Sequence, residues 1–299
     1  MKSYKVGLLF GVSAYAIWGL FPLYWPLLEP SGSIEIVANR SVWTLLVCAI
    51  ALSITHQLRT TFRLMLNLRI FLKLALTSIL VSINWLVYIW GVNNGHVVEC
   101  ALGYYINPLI IIAFGVFLLK EKMRRLQWVS VGIAAIGVAV LTIDYGRPPW
   151  IAIALALSWG SYGVIKKQLA IPALQGLSIE TLITLPFYGG YLIVLARQGD
   201  SHFGHGAGLT ALLIGAGVVT AIPLLLFNGS GNRLPFTIIG LLQYITPTLQ
   251  FLIGVIVRHE KMSLASWIGF FIIWAALITL GVDLVRSGGS SNNRVAEVR

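Results

Sequence analysis

The sequence predicts an all-α membrane protein of ten transmembrane helices, arranged as two inverted five-helix repeats. Three observations predict it. Of 299 residues, 58% are hydrophobic and only 10% are charged, where a soluble domain carries about 25% charge. Apolar runs of near-spanning length recur along the whole chain, and a helix needs about 20 such residues to cross a bilayer. A shift of 139 residues also lays one half of the chain onto the other.

The runs follow in order. The first, 5–26, comes after Lys2 and Lys5 and stays apolar to Leu28. That is too long for a signal-peptide core, so the segment is read as a retained span despite Ala14-Tyr-Ala16, which imitates a cleavage site. The second, 34–55, contains Arg40, and the third, 71–91, contains Asn84, Trp85 and Tyr88. The fourth, 97–119, opens near Glu99 and carries "GYYINPLI" at 103–110; the fifth covers 126–143. The sixth, 150–170, holds Trp159 and Tyr162, and the seventh, 177–196, holds Glu180. The eighth covers 208–228, the ninth, 236–257, carries "QYITPTLQ" at 243–250, and the tenth covers 264–285. The polar, Gly/Ser-rich segment 286–299 is expected to be a disordered cytoplasmic tail. Residues 1–145 and 146–285 are taken as the two repeats.

Lysine and arginine orient the spans. With the N-terminus in the cytoplasm, sixteen lie in inside segments and four, namely Arg147, Arg197, Arg258 and Lys261, in outside loops. The positive-inside rule therefore places both termini in the cytoplasm. The net charge of +11 reflects this topology. No basic stripe of the kind that nucleic acid requires is present, so nucleic acid is not expected as a partner. The expected partners are the lipid bilayer and a small molecule.

Under the shift of 139, Tyr105, Ile106 and Pro108 fall on Tyr244, Ile245 and Pro247, "EKM" at 121–123 on "EKM" at 260–262, and Trp128 on Trp267. A shift of 141 brings Trp18-Gly19 onto Trp159-Gly160. Because five spans are an odd number, the second copy enters the membrane from the opposite side. Such halves form a site at mid-bilayer between them.

Polar and helix-breaking residues inside the runs mark that site. Pro108 and Pro247 are read as kinks, each freeing a carbonyl one turn earlier. A freed group is tolerated where it faces a wet cavity or protein. The expected substrate-binding set is Trp18, Arg40, Asn84, Trp85, Tyr88, Tyr104, Asn107, Trp159, Gln243, Tyr244, Thr246 and Gln250. The alternative for the polar members is interhelical glue. An intramembrane arginine usually faces the interior with a partner. Glu99, Glu35 or an anionic group on a substrate would serve Arg40. Glu99 and Glu180 are the candidates for ion coupling.

Other chemistry is poorly supported. There is no "GxxxxGK[ST]", no "HExxH" and no "GxSxG". His202 and His205 stand in a Gly-rich loop with no acidic residue at ligand spacing, and Cys48 and Cys100 imply no disulfide framework. No cofactor, metal or enzymatic activity is expected.

The strings "YAIWGLFPLYW", "EIVANRSVW", "NWLVYIWGVNNGHVVECALGYYINPL", "SWGSYGVIKK" and "GLLQYITPTLQFLIGV" resemble the RarD proteins, in the EamA branch of the drug/metabolite transporter superfamily. The resemblance covers roughly residues 1–285. It implies ten helices in a bacterial inner membrane and a secondary transporter that exports a small metabolite. Amino acids or related compounds, and drugs such as chloramphenicol, are the cargo it suggests. Members of that family carry His before the arginine of the second span, where this chain has Asn39. A channel-like protein or a non-transporting scaffold is the alternative.

Overall fold

A computed structural model describes residues 2–119, 124–169, 171–231, 233–234 and 236–296. The repeated "EKM" at 121–123 lies outside them. Among the described residues the chain is helical throughout and contains no strand. Its helices are α1 (Lys2–Gly19), α2 (Phe21–Tyr24), α3 (Ser33–Ile54), α4 (Leu58–Met65), α5 (Leu68–Asn93), α6 (Val97–Leu119) and α7 (Arg125–Tyr145). Then come α8 (Trp150–Leu169), α9 (Ala173–Gln198), α10 (Ala207–Gly231), α11 (Phe236–Leu242), α12 (Ile245–Leu252) and α13 (Leu264–Ala296).

Local chemistry sets the boundaries. Pro22 and Pro26 follow α1, and the chain bends by 41° there into α2 and a 3-10 turn over Trp25–Leu28. The Asn67 carboxamide oxygen accepts from the N–H groups of Arg69 and Ile70 and so caps α5. Gly146 and Gly199 end α7 and α9 at φ of 62° and 80°, a conformation that a side chain would strain. A π-turn over Ile253–Val257 widens the end of α12.

Two expectations are corrected here. Pro247 does not kink a continuous helix. It is the third residue of α12, where its missing N–H interrupts no ladder bond, and the break lies just before it, at Gln243–Tyr244. Pro108 does lie inside α6, which continues through it. The segment after 285 is not wholly irregular either, because the backbone ladder of α13 continues to Ala296. Sequence reading also missed α4, which occupies part of a loop between two apolar runs.

Among the described residues, seven helices are long and apolar enough to cross a membrane, or eight if the bent pair of α1 and α2 is one span. The exposed surface carries Leu9, Ile54, Leu72, Ile79, Ile143, Phe187 and Ile278. Arg40, Asn84, Glu99 and Glu180 are buried. An apolar exterior with the polar groups turned inside is the arrangement that lipid demands.

The helices pair in a regular way. α7 packs on α13, α6 on α8 and α12, α3 on α9 and α10, α1 on α10 and α12, and α5 on α8 and α9. Glycines permit the closest crossings. A Cβ at Gly217 of α10 would stand 2.6 Å from the Thr44 nitrogen of α3. One at Gly103 of α6 would stand 2.9 Å from the Ala152 carbonyl oxygen of α8.

Candidate functional site

Arg40 is the eighth residue of α3, about 10 Å along its axis at 1.5 Å per residue. It is 4% exposed. Its guanidinium carbon lies 3.9 Å from the Trp85 ring centroid, 4.9 Å from that of Trp25 and 5.7 Å from that of Phe21. The bend after α1 delivers Phe21 and Trp25, while α5 delivers Trp85. Arg40 Nε donates to Thr220 Oγ1 of α10 at 2.8 Å. Among the described residues no carboxylate pairs with Arg40.

Neither expected carboxylate reaches it. Glu99 binds the Arg147 guanidinium through two contacts of 2.8 and 3.2 Å and also accepts from the Ile151 N–H. Glu35 accepts from the His202 N–H and lies 2.8 Å from its Nδ1. The loop holding His202 therefore has an acidic partner after all, brought from α3 by the fold. A central arginine costs roughly 2.5–3.5 kcal/mol. A desolvated cation–π contact returns about 2 kcal/mol. The aromatic cage thus offsets part of the cost and leaves the charge without a counter-ion.

Other predicted residues fall into two groups. Some bridge helices. Asn84 Nδ2 donates to Leu155 O and Ser158 Oγ, and its Oδ1 accepts from Tyr104. Thr246 donates to the Tyr15 carbonyl, and Gln250 Nε2 donates to that of Trp18. These contacts fit the glue reading. Others hold buried polar atoms with no partner among the described residues: Tyr88 Oη, Asn107 Oδ1, Tyr244 Oη and Gln250 Oε1, with Trp25 Nε1 from the cage. Tyr88 and Tyr104 meet edge to face at 5.6 Å, and Trp18 packs edge-on against Tyr15 at 5.5 Å. Pro108 and Pro247 are both buried, not lipid-facing. Gln243 sits in the break between α11 and α12, its N–H donating to the Ile239 carbonyl at 3.1 Å.

Glu180 forms a second charged centre. It is the eighth residue of α9, as Arg40 is of α3. Its carboxylate accepts from Thr77 at 2.6 Å, Tyr162 at 3.2 Å and Lys166 Nζ at 3.1 Å. Trp159 stacks on Tyr162 beside it. The two centres correspond. In each, a threonine of a facing helix bonds the buried charge: Thr220 of α10 for Arg40 and Thr77 of α5 for Glu180. They differ in one respect, since Glu180 has a counter-ion of its own.

At the end of the bundle remote from Lys2, carboxylates bond across between helices. Glu260 accepts from the Val97 and Val98 N–H groups at 2.5 and 2.9 Å and thereby caps α6. Asp144 accepts from Ser263 and Ser266. Burial pushes the Glu260 carboxyl up, against the pull of the Val98 and Val97 donors. The Glu99 hydrogen bond holds the Arg147 guanidinium above its ordinary value. Glu260→Ala is expected to destabilise the fold by about 1–2 kcal/mol, the value of a helix cap, and Glu260→Gln by less. Thermal unfolding in lipid nanodiscs measures both. A cleft of about 490 Å³ at this end is lined by Ile34, Trp90, Trp150 and Tyr191 among others, and by none of the predicted site residues.

Sequence reading missed Phe21, Trp25 and Thr220 around Arg40, and Thr77 and Lys166 around Glu180. Only the aromatic run "WGLFPLYW" gave a hint, and beside prolines it reads as an interface anchor.

Two segments of the chain, 5–143 and 148–282, each match the EamA-like transporter family. The chain is 47% identical to the protein RarD of Streptomyces exfoliatus, over 97% of this chain and 93% of that one. It is 43% identical to the transporter YojE of Bacillus subtilis (strain 168), over 94% and 95% of the two chains. One solved crystal structure aligns with 92% of this chain and 97% of its own at a TM-score of 0.62 and 18% identity, a likeness of fold.

Proposed function

The chain belongs to the EamA-like transporter family, and from that premise we propose a RarD-type secondary transporter that exports a small metabolite by alternating access. Amino acids and related compounds are the leading cargo class. The spans are α1 with its bent extension, α3, α5, α6 and α7, then α8, α9, α10, α11 with α12, and α13. The two sets are inverted repeats, with both termini on the cytoplasmic face of a bacterial inner membrane.

One observation carries this reading: the packing survives exchange of the two sets. Under exchange, α3–α9, α6–α12 and α7–α13 map onto themselves. Likewise α1–α10 maps onto α8–α5, α1–α12 onto α8–α6, and α3–α10 onto α9–α5, and every one of these pairs is in contact. The doubled family match and the correspondence of Arg40 with Glu180 agree with it. An interface that is self-complementary in this way allows rocking of one half on the other, with cargo held near the midplane. Arg40, Trp85, Tyr88, Tyr104 and Gln250 line the binding region. Asn84 and Thr246 hold its walls, and Glu180 is the coupling candidate.

Single cysteines at Asn107 and Gln250, with Cys48 and Cys100 replaced by alanine, test the mechanism. An impermeant maleimide is applied from each side, with and without an amino-acid and chloramphenicol panel. The expected result is labelling from one side at a time, with the favoured side changed by a transported compound. Simultaneous labelling from both sides indicates a channel. Inertness from both sides indicates a scaffold.

A further inference from the structure

We propose that Arg40 binds the carboxylate of the cargo, so that the compound moved is a small organic anion or a zwitterion presenting its anionic end. The inference rests on the transporter reading and names its substrate class. Arg40 is charged, buried and stacked on Trp85. The two carboxylates that sequence spacing offers it are bound to Arg147 and His202. Thr220 occupies Nε. The bond from Nε to Thr220 is the one hydrogen bond the Arg40 guanidinium makes among the described residues. Nη1 and Nη2 form the edge of the guanidinium that receives both oxygens of a planar carboxylate.

The surroundings point the same way. Tyr88 packs edge to face on Tyr104, and its hydroxyl is buried beside Gln250 with no hydrogen bond of good geometry. The indole N–H of Trp25, whose ring flanks Arg40, is likewise unpartnered. A cation edge and two idle donors suit a ligand rich in acceptors. Gln250 Oε1, an idle acceptor, suits the ammonium of a zwitterion. The corresponding centre supplies the control. There the protein gives its buried Glu180 a counter-ion, Lys166. Among the described residues Arg40 has none, and the anionic end of a cargo would serve as its counter-ion.

The test uses the full chain in nanodiscs, with thermal unfolding followed by tryptophan fluorescence. The probes are hexanoate, 3-phenylpropanoate and phenylalanine, each beside its amide, with chloride and phosphate at matched ionic strength. At least one acid is expected to raise the melting temperature, at concentrations at least tenfold below those its amide needs. Arg40→Lys, which keeps the charge but loses the two-pronged edge, is expected to weaken that acid tenfold or more, and Arg40→Gln to abolish its effect. Three results overturn the proposal: no acid stabilises, acids and amides act alike, or chloride acts as well as the acids. So does an acid effect that survives in Arg40→Gln. Should that variant not fold, the acid–amide contrast and Arg40→Lys decide. Counterflow in proteoliposomes separates the two claims. Acid binding without movement of any acid leaves the site and sinks the transporter. Movement of a neutral or cationic compound that acids do not inhibit sinks the site and leaves the transporter.

Discussion

Glu180→Gln is expected to destabilise the protein by about 3 kcal/mol, because removing one member of a buried ion pair leaves the other uncompensated. The carboxylate is fully buried and Lys166 is 15% exposed, which puts the loss at the lower end of the range for such pairs. Glutamine retains an oxygen for Thr77 or Tyr162 but not the charge that holds Lys166. The ammonium lies directly over Gly176, where a side chain would collide with it. The double variant Glu180→Gln with Lys166→Met is expected to recover most of the loss, as apolar replacements of buried pairs often do. Chemical unfolding in mixed micelles reads both. A single variant as stable as the parent would show that the pair contributes nothing.

Gly217→Val is expected to be at least as damaging. At this crossing of α10 and α3 even a Cβ would stand 2.6 Å from the Thr44 nitrogen, and closer still to the carbonyl carbon of Trp43. Backbone atoms do not rotate away as a side chain does. Overpacking costs about 1–3 kcal/mol where neighbours adjust, so a clash with backbone belongs at or above that range. In membranes close helix approach through small residues is a main source of association. Separation of α3 from α10 would also draw Thr220 away from Arg40. Gly190→Ala on α9, where nothing lies within 4 Å of the added carbon, is the matched control and should be near neutral. Loss of folded yield in Gly217→Val with normal yield in Gly190→Ala is the expected pattern. Equal yields would mean that the crossing is looser than described.

Much of the architecture could be read from the chain alone because its cause is one-dimensional. An apolar run of spanning length is a helix by default in lipid. The inner sets of partners were another matter. Arg147 and Lys166 were counted as topology charges, since in sequence they sit in or beside loops. In space, Arg147, between α7 and α8, meets Glu99 in the first turn of α6, and Lys166 of α8 meets Glu180 of α9. Phe21 and Trp25 face Arg40 only because the first span bends after Gly19, and hydropathy carries no information about the direction of that bend. The polar stretches divide into helix bridges and atoms without a partner among the described residues according to which backbone carbonyls lie opposite.

The contrast between the two buried charges has an electrical consequence. Glu180 is paired with Lys166, whereas Arg40 has no carboxylate partner among the described residues. Under the proposed function, the unloaded carrier would hold an uncompensated positive charge at Arg40, and an anionic cargo would neutralise it. Voltage would then act on the empty return step and not on the loaded one, with about 2.3 kcal/mol available per charge for each 100 mV. If both proposals hold, export of an anion by such a cycle would be electrogenic, and an inside-negative potential would speed the return of the empty carrier.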